Sequence, residues 1–456
     1  MLSRHSAATV SRELAVKILN EVDKGVYAET TLSQLLSKNA ISDRDRSLTT
    51  EIVYGTVRWK DRLDSIIDGH LTLKGKKLDP EIRNILRIAF YQILFLTRIP
   101  VYSVTHQAVA QAKTRLKGRF SKLVNAVLRS VLRNQDDLHH EPEKNSQSLA
   151  IYYSHPEWLV VRWLDRFGEQ GTIDILEFNN QRSHLTIRIN TLKTTIADVV
   201  SNFKQNNIIF EIIDNDLGVL TVKNIRGPVL DVPGFNEGLF TVQDFASQMI
   251  APLLKAQRNQ VILDVCGAPG GKSSHVAALV NNEAQITLVD ADIKRLDEAA
   301  KNFERLGVNC VKMIHGDATE KLFLLSMGKF DRILIDAPCS NLGVLRHNCE
   351  VKYRVKPQDL ARLAEKQLIM LTEASHAVKN DGIIVYCVCS TSEEETTSVV
   401  EKFLAGHRNF SVDKIDHGEI FNPAFLTTEG YFFSFPSAKS SFVDGFFAAR
   451  IKKSRP

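Results

Sequence analysis

The stretch VILDVCGAPGGKS, residues 261–273, decides the fold of this chain. A short apolar run ends in Asp264, a glycine-rich turn follows, and Lys272 and Ser273 open an amphipathic segment at 275–280. A strand, a glycine turn and a helix start in this order are typical of a nucleotide-type site at the carboxyl end of a strand. Its glycines predict a backbone that a ligand approaches closely, because side chains would block that approach.

Two kinds of ligand fit this turn. A phosphate-binding loop has the pattern G-x-x-x-x-G-K-[ST], which residues 271–273 match, but Cys266 stands where the first glycine belongs. The acid that ends the apolar run 333–336 would then hold a magnesium ion. An adenosyl ligand with an amino-acid tail instead requires a second acid at the end of the next strand, about 20 residues on, to bind ribose hydroxyls. Asp290, the last residue of ITLVD, supplies that acid, and a buried turn without a ligand is the plainest alternative.

The composition of the 456 residues limits the class of protein. With 44% hydrophobic and 24% charged residues, the chain is typical of a globular protein with two to four domains. No run of about 18 apolar residues predicts a membrane span, and the N-terminal segment lacks the apolar core of a signal peptide. We therefore expect a cytoplasmic protein with no membrane partner.

Charge is distributed unevenly along the chain. Residues 1–140 carry 23 Lys and Arg against 14 Asp and Glu, whereas the remainder carries 35 against 39. A basic front end predicts a polyanion partner, although a solvated helical surface rich in Lys and Arg explains the charge equally well. The cation run at 113–122, with Arg115, Lys117 and Arg119 at its centre, is a candidate phosphate contact.

The six cysteines all lie between residues 266 and 389. A disulfide framework would spread cysteines through a small secreted domain, and zinc sites use C-x-x-C pairs that this chain lacks. Reduced cysteines, one or two of them reactive, fit a cytosolic enzyme better. We therefore expect no metal site.

Hydrophobic spacing divides the chain into three parts. Apolar residues recur at helical spacing over 6–133, which predicts a basic all-α domain at 1–140. The polar segment 134–148 is interpreted as a linker. Alternating patterns then predict a small α+β (RRM-like) module at 150–245. Strands alternate with helices over 246–456, which predicts an α/β Rossmann-like domain with a parallel sheet.

Reactive side chains follow the predicted strands of the last domain. These strands are Val261–Val265, Ile286–Asp290, Cys310–His315, Asp331–Ala337 and Gly382–Cys389. Ligands of such sheets lie beyond the carboxyl ends of the strands. The acids and cysteines at those ends are Asp264, Asp290, Asp317, Asp336, Cys339 and Cys389. So many reactive side chains along one edge predict a catalytic site there.

Cys389 is the predicted nucleophile. Strand alternation puts Cys387 and Cys389 on one face of the sheet. Cys389 comes last on its strand and directly before a Ser-Thr helix start, and a helix N-terminus lowers the pKa of a thiol and makes it more nucleophilic at neutral pH. Cys387 and Cys310 are predicted to be buried structural residues, and Cys266 to pack beside the cofactor turn.

A thiolate beside a cofactor turn suits methylation of a pyrimidine. Carbon 5 of cytosine is too weakly nucleophilic to take a methyl group from a sulfonium, whereas addition of a thiolate to carbon 6 makes carbon 5 enamine-like. Asp336 is predicted to hydrogen-bond the ring near nitrogen 3 as charge develops. Cys339 is predicted to act as the base when the hydrogen on carbon 5 leaves.

Three ordered motifs carry a family resemblance. The stretches DVCGAPGGKS, DAPCS and CVCSTSEEE, which begin at residues 264, 336 and 387, together resemble the RNA 5-methylcytosine methyltransferases that use S-adenosylmethionine. The basic helical first domain resembles the NusB-like domain of the bacterial small-subunit ribosomal RNA methyltransferase B family. This resemblance implies 16S ribosomal RNA as the partner, a role in rRNA processing, and a monomeric enzyme.

The resemblance also implies roles for individual residues. Cys389 is the implied nucleophile, Cys339 the implied release residue, and Asp336 faces the base. Asp290 would hold the ribose hydroxyls, and Asp317 would lie near the adenine. The implied cofactor-binding residues are Cys266, Gly267, Ala268, Pro269, Gly270, Gly271, Lys272, Asp290, Asp317 and Asp336.

The chain departs from the family pattern where the substrate is expected to enter. Where the family has S-G-T-G, this chain has Ser340-Asn341-Leu342-Gly343. The Arg-Arg-His-Pro that follows in the family is Arg-His-Asn-Cys at 346–349 here, and Val388 replaces the Thr before the implied nucleophile. Two other functions stay open from the sequence. One is a P-loop-like nucleotide hydrolase, and the other is a non-catalytic RNA-binding factor of ribosome assembly.

Overall fold

The computed structural model describes residues 7–39, 41–71, 78–115, 120–134, 141–223, 227–420, 422–436 and 443–455. The chain forms two compact units. One runs through Gln181 and includes Lys352–Arg354, and the other comprises Arg182–Val351 and the chain from Val355 onward. Lys117 and Arg119 of the predicted cation run lie outside the described residues. None of the described helices combines the length and apolarity that crossing a bilayer requires.

The first unit is all-α, as the helical spacing predicts. Its helices are α1 (Ala7–Val22), α2 (Ala28–Lys38), α3 (Asp43–Arg58), α4 (Lys60–Gly69), α5 (Pro80–Phe95), α6 (Val101–Arg115), α7 (Ser121–Arg133), α8 (Ser146–Tyr152) and α9 (Glu157–Asn180). Helix α5 is buried along most of its length and starts where Asp79 accepts a hydrogen bond from the backbone N–H of Glu81. Its buried Arg87 is paired with Asp64 at 2.6 Å, because an unpaired charge in the interior is strongly destabilising.

Arg115 forms ion pairs within the first unit. Its guanidinium contacts Glu13 of α1 at 2.8 Å and also Glu81 of α5. The charge of Arg115 is therefore already balanced by two carboxylates of the protein, and the contact of the cation run with phosphate stays a prediction. Helices α8 and α9 belong to this unit, and the position of the boundary between the helical domain and the small module stays a prediction.

The second unit begins with a four-stranded antiparallel sheet in the order β2-β3-β1-β4. The strands are β1 (Leu185–Ile189), β2 (Phe210–Asp214), β3 (Val219–Val222) and β4 (Phe240–Val242), and helix α10 (Ile196–Gln205) follows β1. Thr195 and Asp198 form a capping box that starts α10. Phe203 of α10 is buried against Ile187 and Leu220 of the sheet. The predicted α+β module is confirmed.

The large sheet has eight strands. They are β5 (Val261–Val265), β6 (Gln285–Asp290), β7 (Val311–His315), β8 (Phe330–Asp336), β9 (Val378–Val388), β10 (Phe410–Val412), β11 (Phe432–Ser434) and β12 (Phe446–Lys453). Five strands run parallel in the order β7-β6-β5-β8-β9, and β12 lies antiparallel beside β9 and pairs with β10 and β11. The strand order reverses at β5, and open α/β sheets bind ligands in the crevice at such a point.

Helices cover both faces of this sheet. They are α11 (Phe245–Gln248), α12 (Ile250–Leu253), α13 (Gly271–Leu279), α14 (Ile293–Leu306), α15 (Phe323–Ser326), α17 (Pro357–Ala377) and α18 (Thr397–Gly406), whereas α16 (Val351–Arg354) belongs mostly to the first unit. Ile262 of β5 packs in a cluster with Phe303 of α14, and the next residue, Leu263, packs in the other cluster with Met370 of α17. Alternate side chains of a central parallel strand are buried on opposite faces, which explains its continuous apolar run. The predicted Rossmann-like domain is confirmed.

Candidate active site

The turn between β5 and α13 has a backbone that its glycines make possible. Gly270 adopts a φ of +90°, and a Cβ there would lie 2.6 Å from the ring of Phe303. A Cβ on Gly267 would lie 2.6 Å from the Asp264 carboxyl group. Packing within the protein therefore requires glycine at both positions. At Gly271 the nearest heavy atom to a Cβ would be 4.0 Å away, so this side of the turn is open to a ligand.

Asp290 lies at the end of β6 and fixes the turn. It is buried, and its Oδ2 accepts a hydrogen bond from the backbone N–H of Ala268 at 3.2 Å. Its Oδ1 accepts from the backbone N–H of Asp292 at 3.0 Å. The backbone N–H of Gly316 donates to the Asp290 carbonyl at 3.1 Å, which brings the next residue, Asp317, to the same edge of the sheet. The two predicted cofactor acids therefore lie at neighbouring strand ends.

Asp264, at the end of β5, is a buried acid with unused hydrogen-bonding capacity. The Ser273 hydroxyl donates to its Oδ2, whereas its Oδ1 is buried and has no hydrogen-bond partner among the described residues. Burial, with the nearby carboxylates of Asp336 and Asp290, outweighs the Ser273 hydrogen bond and the charge of Lys272 and raises the pKa of Asp264 to about 7. A buried oxygen without a donor fits a site that receives a polar or cationic ligand group.

Lys272 connects the turn to the end of β8. Its buried ammonium lies 2.7 Å from Asp336 Oδ2 and 5.1 Å from the ring centroid of Phe446. Burial lowers the pKa of Lys272, but the charge of Asp336 and its hydrogen bond outweigh burial and raise the pKa above its ordinary value. Lys272 is therefore a cation held by a protein carboxylate. In a phosphate-binding loop the corresponding lysine would be available to the nucleotide.

Cys339 and Cys389 meet although they are 50 residues apart in sequence. Their sulfurs are separated by 3.3 Å. Each follows the carboxyl end of its strand, and the parallel pairing of β8 with β9 brings those ends together. The hydrogen bond to Cys389, together with burial, raises the pKa of Cys339 well above its usual range. In the resting site both effects favour the protonated thiol of Cys339.

Residues 389–396, all of which the structure describes, do not form the predicted helix start beside Cys389. Cys389 follows β9 rather than ending it, residues 390–392 are not helical, a 3-10 turn covers Glu393–Glu395, and α18 begins at Thr397. The electrostatic effect of a helix N-terminus falls off within its first turn. The prediction that a helix terminus activates Cys389 is therefore wrong. The Cys389 sulfur instead lies 2.8 Å from Oδ1 of Asn341.

Three further cysteines lie outside the thiol pair. Cys387 is buried, as predicted, with its sulfur 3.6 Å from Asp336 Oδ1. Cys310 is half-buried, so the prediction of a buried structural residue is wrong there. Cys266 packs with its sulfur 4.0 Å from that of Met370, and burial raises its pKa to about 12, which makes it unreactive at neutral pH.

A buried carboxylate that the sequence analysis did not identify joins the two cysteine turns. Oε1 of Glu395 accepts from the backbone N–H of Ser340 at 2.8 Å and from the Gln367 amide at 3.1 Å. Its Oε2 accepts from the hydroxyls of Ser340 and of Ser390, the latter at 2.6 Å. The Tyr386 hydroxyl donates to the Glu395 carbonyl at 2.6 Å. The polar residues after Cys389 could have indicated an acid near the site. The sequence of three adjacent glutamates, however, does not show which of them is buried.

A cluster of charged side chains holds the segment at 346–349, which departs from the family pattern. The Arg346 guanidinium lies 2.6 Å from Asp444, and Nε2 of His347 lies 2.6 Å from the same carboxylate and 3.7 Å from Asp244. Burial lowers the pKa of His347, but hydrogen bonds to Asp244 and Asp444 raise it to about 9, so the ring is charged at neutral pH. These contacts fix the segment between Ser340 and Glu350 against the start of β12.

Comparisons with known proteins agree with this architecture. A family model described as 16S rRNA methyltransferase RsmB/F matches residues 251–452, the NusB family model matches 9–133, and an RsmF/B-like ferredoxin-like domain matches 155–218. A probable ribosomal RNA small subunit methyltransferase B of Bacillus subtilis is 34% identical over 89% of this chain and 90% of its own length. This chain belongs to the RsmB/F rRNA methyltransferase family. Its members are S-adenosylmethionine-dependent enzymes, which removes the nucleotide hydrolase from consideration.

Other known proteins are also similar to this RsmB/F family member over most of its length. A probable ribosomal RNA small subunit methyltransferase B of a Synechocystis species is 32% identical over 97% of this chain and 99% of its own length. A methyltransferase homologue from Pyrococcus horikoshii shares the fold with a TM-score of 0.57 at 25% identity, over 68% of this chain and 98% of its own. The crystal structure of NSun6 from the same organism with SFG has a TM-score of 0.58 at 19% identity, over 66% and 99% of the two chains.

Proposed function

We propose that this RsmB/F family member methylates carbon 5 of a cytosine in small-subunit ribosomal RNA. The observation that carries the proposal is the pair of sulfurs 3.3 Å apart, next to an edge that also holds the Lys272–Asp336 ion pair. The names of the Bacillus and Synechocystis relatives support small-subunit RNA as the substrate. The enzyme would act as a monomer in the cytoplasm, where ribosomal RNA is available.

The residues around the glycine turn fit S-adenosylmethionine. This cofactor supplies an electrophilic methyl group when it is bound. The unpaired Oδ1 of Asp264 and the open side of Gly271 suit the methionine part of the cofactor. Asp290 would hold the ribose hydroxyls, and Asp317 would lie near the adenine, beside the same strand end. The remaining residues assigned to the methionine part are Cys266, Gly267, Ala268, Pro269, Gly270 and Lys272.

Cys389 acts as the nucleophile in this proposal. Its thiolate adds to carbon 6 of the cytosine, so that a carbon–sulfur bond forms and the electrons of the carbon 5–carbon 6 double bond move into the ring. Asp336 contacts the base near nitrogen 3. The Lys272 ammonium, 2.7 Å behind the Asp336 carboxylate, keeps a positive charge beside the ring as negative charge develops.

Cys339 acts as the base that completes the reaction. In the resting site its pKa is raised chiefly by its contact with Cys389, which favours the protonated thiol. Once the Cys389 sulfur is bonded to carbon, that contact no longer stabilises the thiol form, and the pKa of Cys339 falls. Cys339 releases its proton to solvent, and once carbon 5 carries the methyl group that the bound cofactor would supply, the Cys339 thiolate takes the remaining proton from carbon 5. The carbon 5–carbon 6 double bond re-forms, the carbon 6–sulfur bond breaks, and the Cys389 thiolate is released.

The proposal is tested by methyl transfer to defined RNA. The protein, isotopically labelled S-adenosylmethionine and either bare small-subunit RNA or the assembled subunit are incubated, and the product is examined by nucleoside mass spectrometry and bisulfite mapping. We expect 5-methylcytidine at a defined cytosine. Cys339→Ala should leave protein covalently attached to RNA after denaturation, whereas Cys389→Ala should form neither product nor adduct. Methylation of a different atom, or normal turnover by Cys389→Ala, would refute the proposal.

A further inference from the structure

A side chain outside the predicted catalytic set contacts the Cys389 sulfur. Oδ1 of Asn341 lies 2.8 Å from Cys389 Sγ and 3.8 Å from Cys339 Sγ. The amide of Asn341 therefore touches the sulfur that the proposed function assigns as the nucleophile. In the resemblance described above, Asn341 stands where the family pattern usually has glycine.

The backbone around Asn341 holds the amide in place. Its φ is +57°, a left-handed conformation that asparagine tolerates better than most residues with a side chain. On one side, the backbone N–H of Ser340 is bound by Glu395 at 2.8 Å. On the other, the backbone N–H of Gly343 donates to the Cys389 carbonyl at 3.0 Å. Both flanks of Asn341 are thus tied to the cysteine turns, so little entropy is lost when its amide binds the thiol.

A thiolate at position 389 needs hydrogen-bond donors in a partly buried site. The helix terminus that the sequence suggested as a source of stabilisation begins too far along the chain. The protonated Cys339 offers one S–H donor at a sulfur–sulfur distance of 3.3 Å. An asparagine amide offers an acceptor oxygen to the thiol and, after a half-turn about its last bond, two N–H donors to the thiolate.

We propose that Asn341 is a catalytic residue that stabilises the Cys389 thiolate. Its carbonyl accepts the S–H hydrogen bond of the resting thiol. When the proton leaves to solvent, the amide turns and donates an N–H to the sulfur, which increases the thiolate population at neutral pH. The inference rests on the proposed role of Cys389 as the nucleophile.

Two substitutions distinguish the effect of the Asn341 amide from that of the backbone conformation at this position. Asn341→Gly removes the amide, and glycine adopts the φ of +57° without strain. Asn341→Asp keeps the shape of the side chain but replaces the N–H donors with a carboxylate that repels a thiolate. Asn348→Asp, at an exposed position of the same segment, is the matched control for the added charge.

The first readout is the pH dependence of alkylation at Cys389 by iodoacetamide, followed by peptide mass spectrometry without RNA. We expect Asn341→Gly to move the curve up by about one pH unit, so that alkylation at pH 7 is about tenfold slower. Asn341→Asp should move it further, whereas Asn348→Asp should leave it unchanged. A wild-type curve for Asn341→Gly, or a downward shift for Asn341→Asp, would overturn the inference.

The second readout is the single-turnover rate of methyl transfer. We expect Asn341→Gly to be about tenfold slower at pH 7 and to recover close to the wild-type rate about one pH unit higher. A loss of the same size at every pH would mean a structural role and would contradict the inference. Failure of the proposed function is distinguishable, because it would appear as normal turnover by Cys389→Ala, whereas the alkylation curves require no methyl transfer.

Discussion

The cofactor turn and the thiol pair occupy neighbouring strand ends of one sheet, yet they are built differently. The turn is one continuous stretch, 261–273, and its shape follows from glycines and from backbone hydrogen bonds such as that of Ala268 to Asp290. The thiol pair joins residues 50 positions apart, and its surroundings combine side chains of distant turns, such as that of Asn341, with backbone hydrogen bonds such as that of Gly343 to Cys389. A ligand-binding turn is thus a local property of the sequence, whereas the reactivity of a thiol is a property of the tertiary structure.

This difference has an energetic consequence. Several backbone groups share the task of shaping the turn, so we expect single polar substitutions there to weaken binding modestly. At the thiol pair, Asn341 contacts the Cys389 sulfur directly, and the single carboxylate of Glu395 binds the turn that carries Ser340. Misplacement of a reacting group by about 1 Å can cost about 100-fold in rate. Substitutions in the two regions should therefore differ in size and in the step they affect.

The largest expected effect is that of Cys389→Ala. Removal of a covalent nucleophile should reduce methyl transfer by about 10,000-fold or more. Binding of S-adenosylmethionine, measured by calorimetry, should stay within about twofold of the wild-type value, because the sulfur is not part of the turn. A variant that lost cofactor affinity together with activity would break the separation between the two regions.

Glu395→Gln should have the next largest effect. The amide keeps the shape of the carboxyl group but accepts fewer hydrogen bonds, so the turns that carry Ser340 and Ser390 lose part of their common anchor. We expect kcat to fall about 100-fold with unchanged cofactor affinity. The exposed neighbour Glu393 provides the control, and Glu393→Gln should retain full activity. Equal losses in both variants would contradict the assigned role of Glu395.

Asp290→Asn tests the cofactor turn rather than the thiol pair. Loss of a charged hydrogen-bond acceptor should weaken binding of S-adenosylmethionine about tenfold. The pH profile of Cys389 alkylation should not change, because Asp290 lies at the end of a different strand. Asp297→Asn, at an exposed position of α14, should bind the cofactor normally. An altered alkylation profile in Asp290→Asn would show that the two regions are coupled.

The smallest expected effect is the pH dependence of stability that Asp264 contributes. Burial raises its pKa in the folded protein from 3.8 to about 7, so the folded state holds a proton that the unfolded state has released. This contribution is complete below about pH 4 and is lost as the pH rises to about 7. Between pH 6 and pH 7, the free energy of unfolding should fall by about 1 kcal/mol.

Urea unfolding at the two pH values measures this contribution. Asp264→Asn should remove the decline, because asparagine does not titrate. Asp317→Asn is the control, since hydrogen bonds from Thr319 lower the pKa of Asp317 and keep it ionised throughout this range. An undiminished decline in Asp264→Asn would assign the pH dependence to other groups.

Local patterns predicted the elements of the sheet well. The strand predicted at Val261–Val265 is β5 with the same bounds, because its apolar side chains are buried alternately on the two faces of the sheet. The prediction of a helix directly after Cys389 is wrong for a specific reason. Ser390 and its neighbours have the composition of a helix cap, but the Ser390 hydroxyl is bound by Glu395. Local spacing also did not reveal that Arg115, a candidate phosphate contact, pairs with Glu13 and Glu81.

By itself, the sequence determined the order of strands and helices, the glycine turn, and the acids and cysteines that follow the strands. These features depend on spacing along the chain and on backbone conformations that few residues permit. Only the tertiary structure decided that Cys339 meets Cys389, that Lys272 pairs with Asp336, and that Asn341 contacts the Cys389 sulfur. Those contacts arise because parallel strands bring distant turns to one edge, and no local spacing specifies which side chains then come within hydrogen-bonding distance.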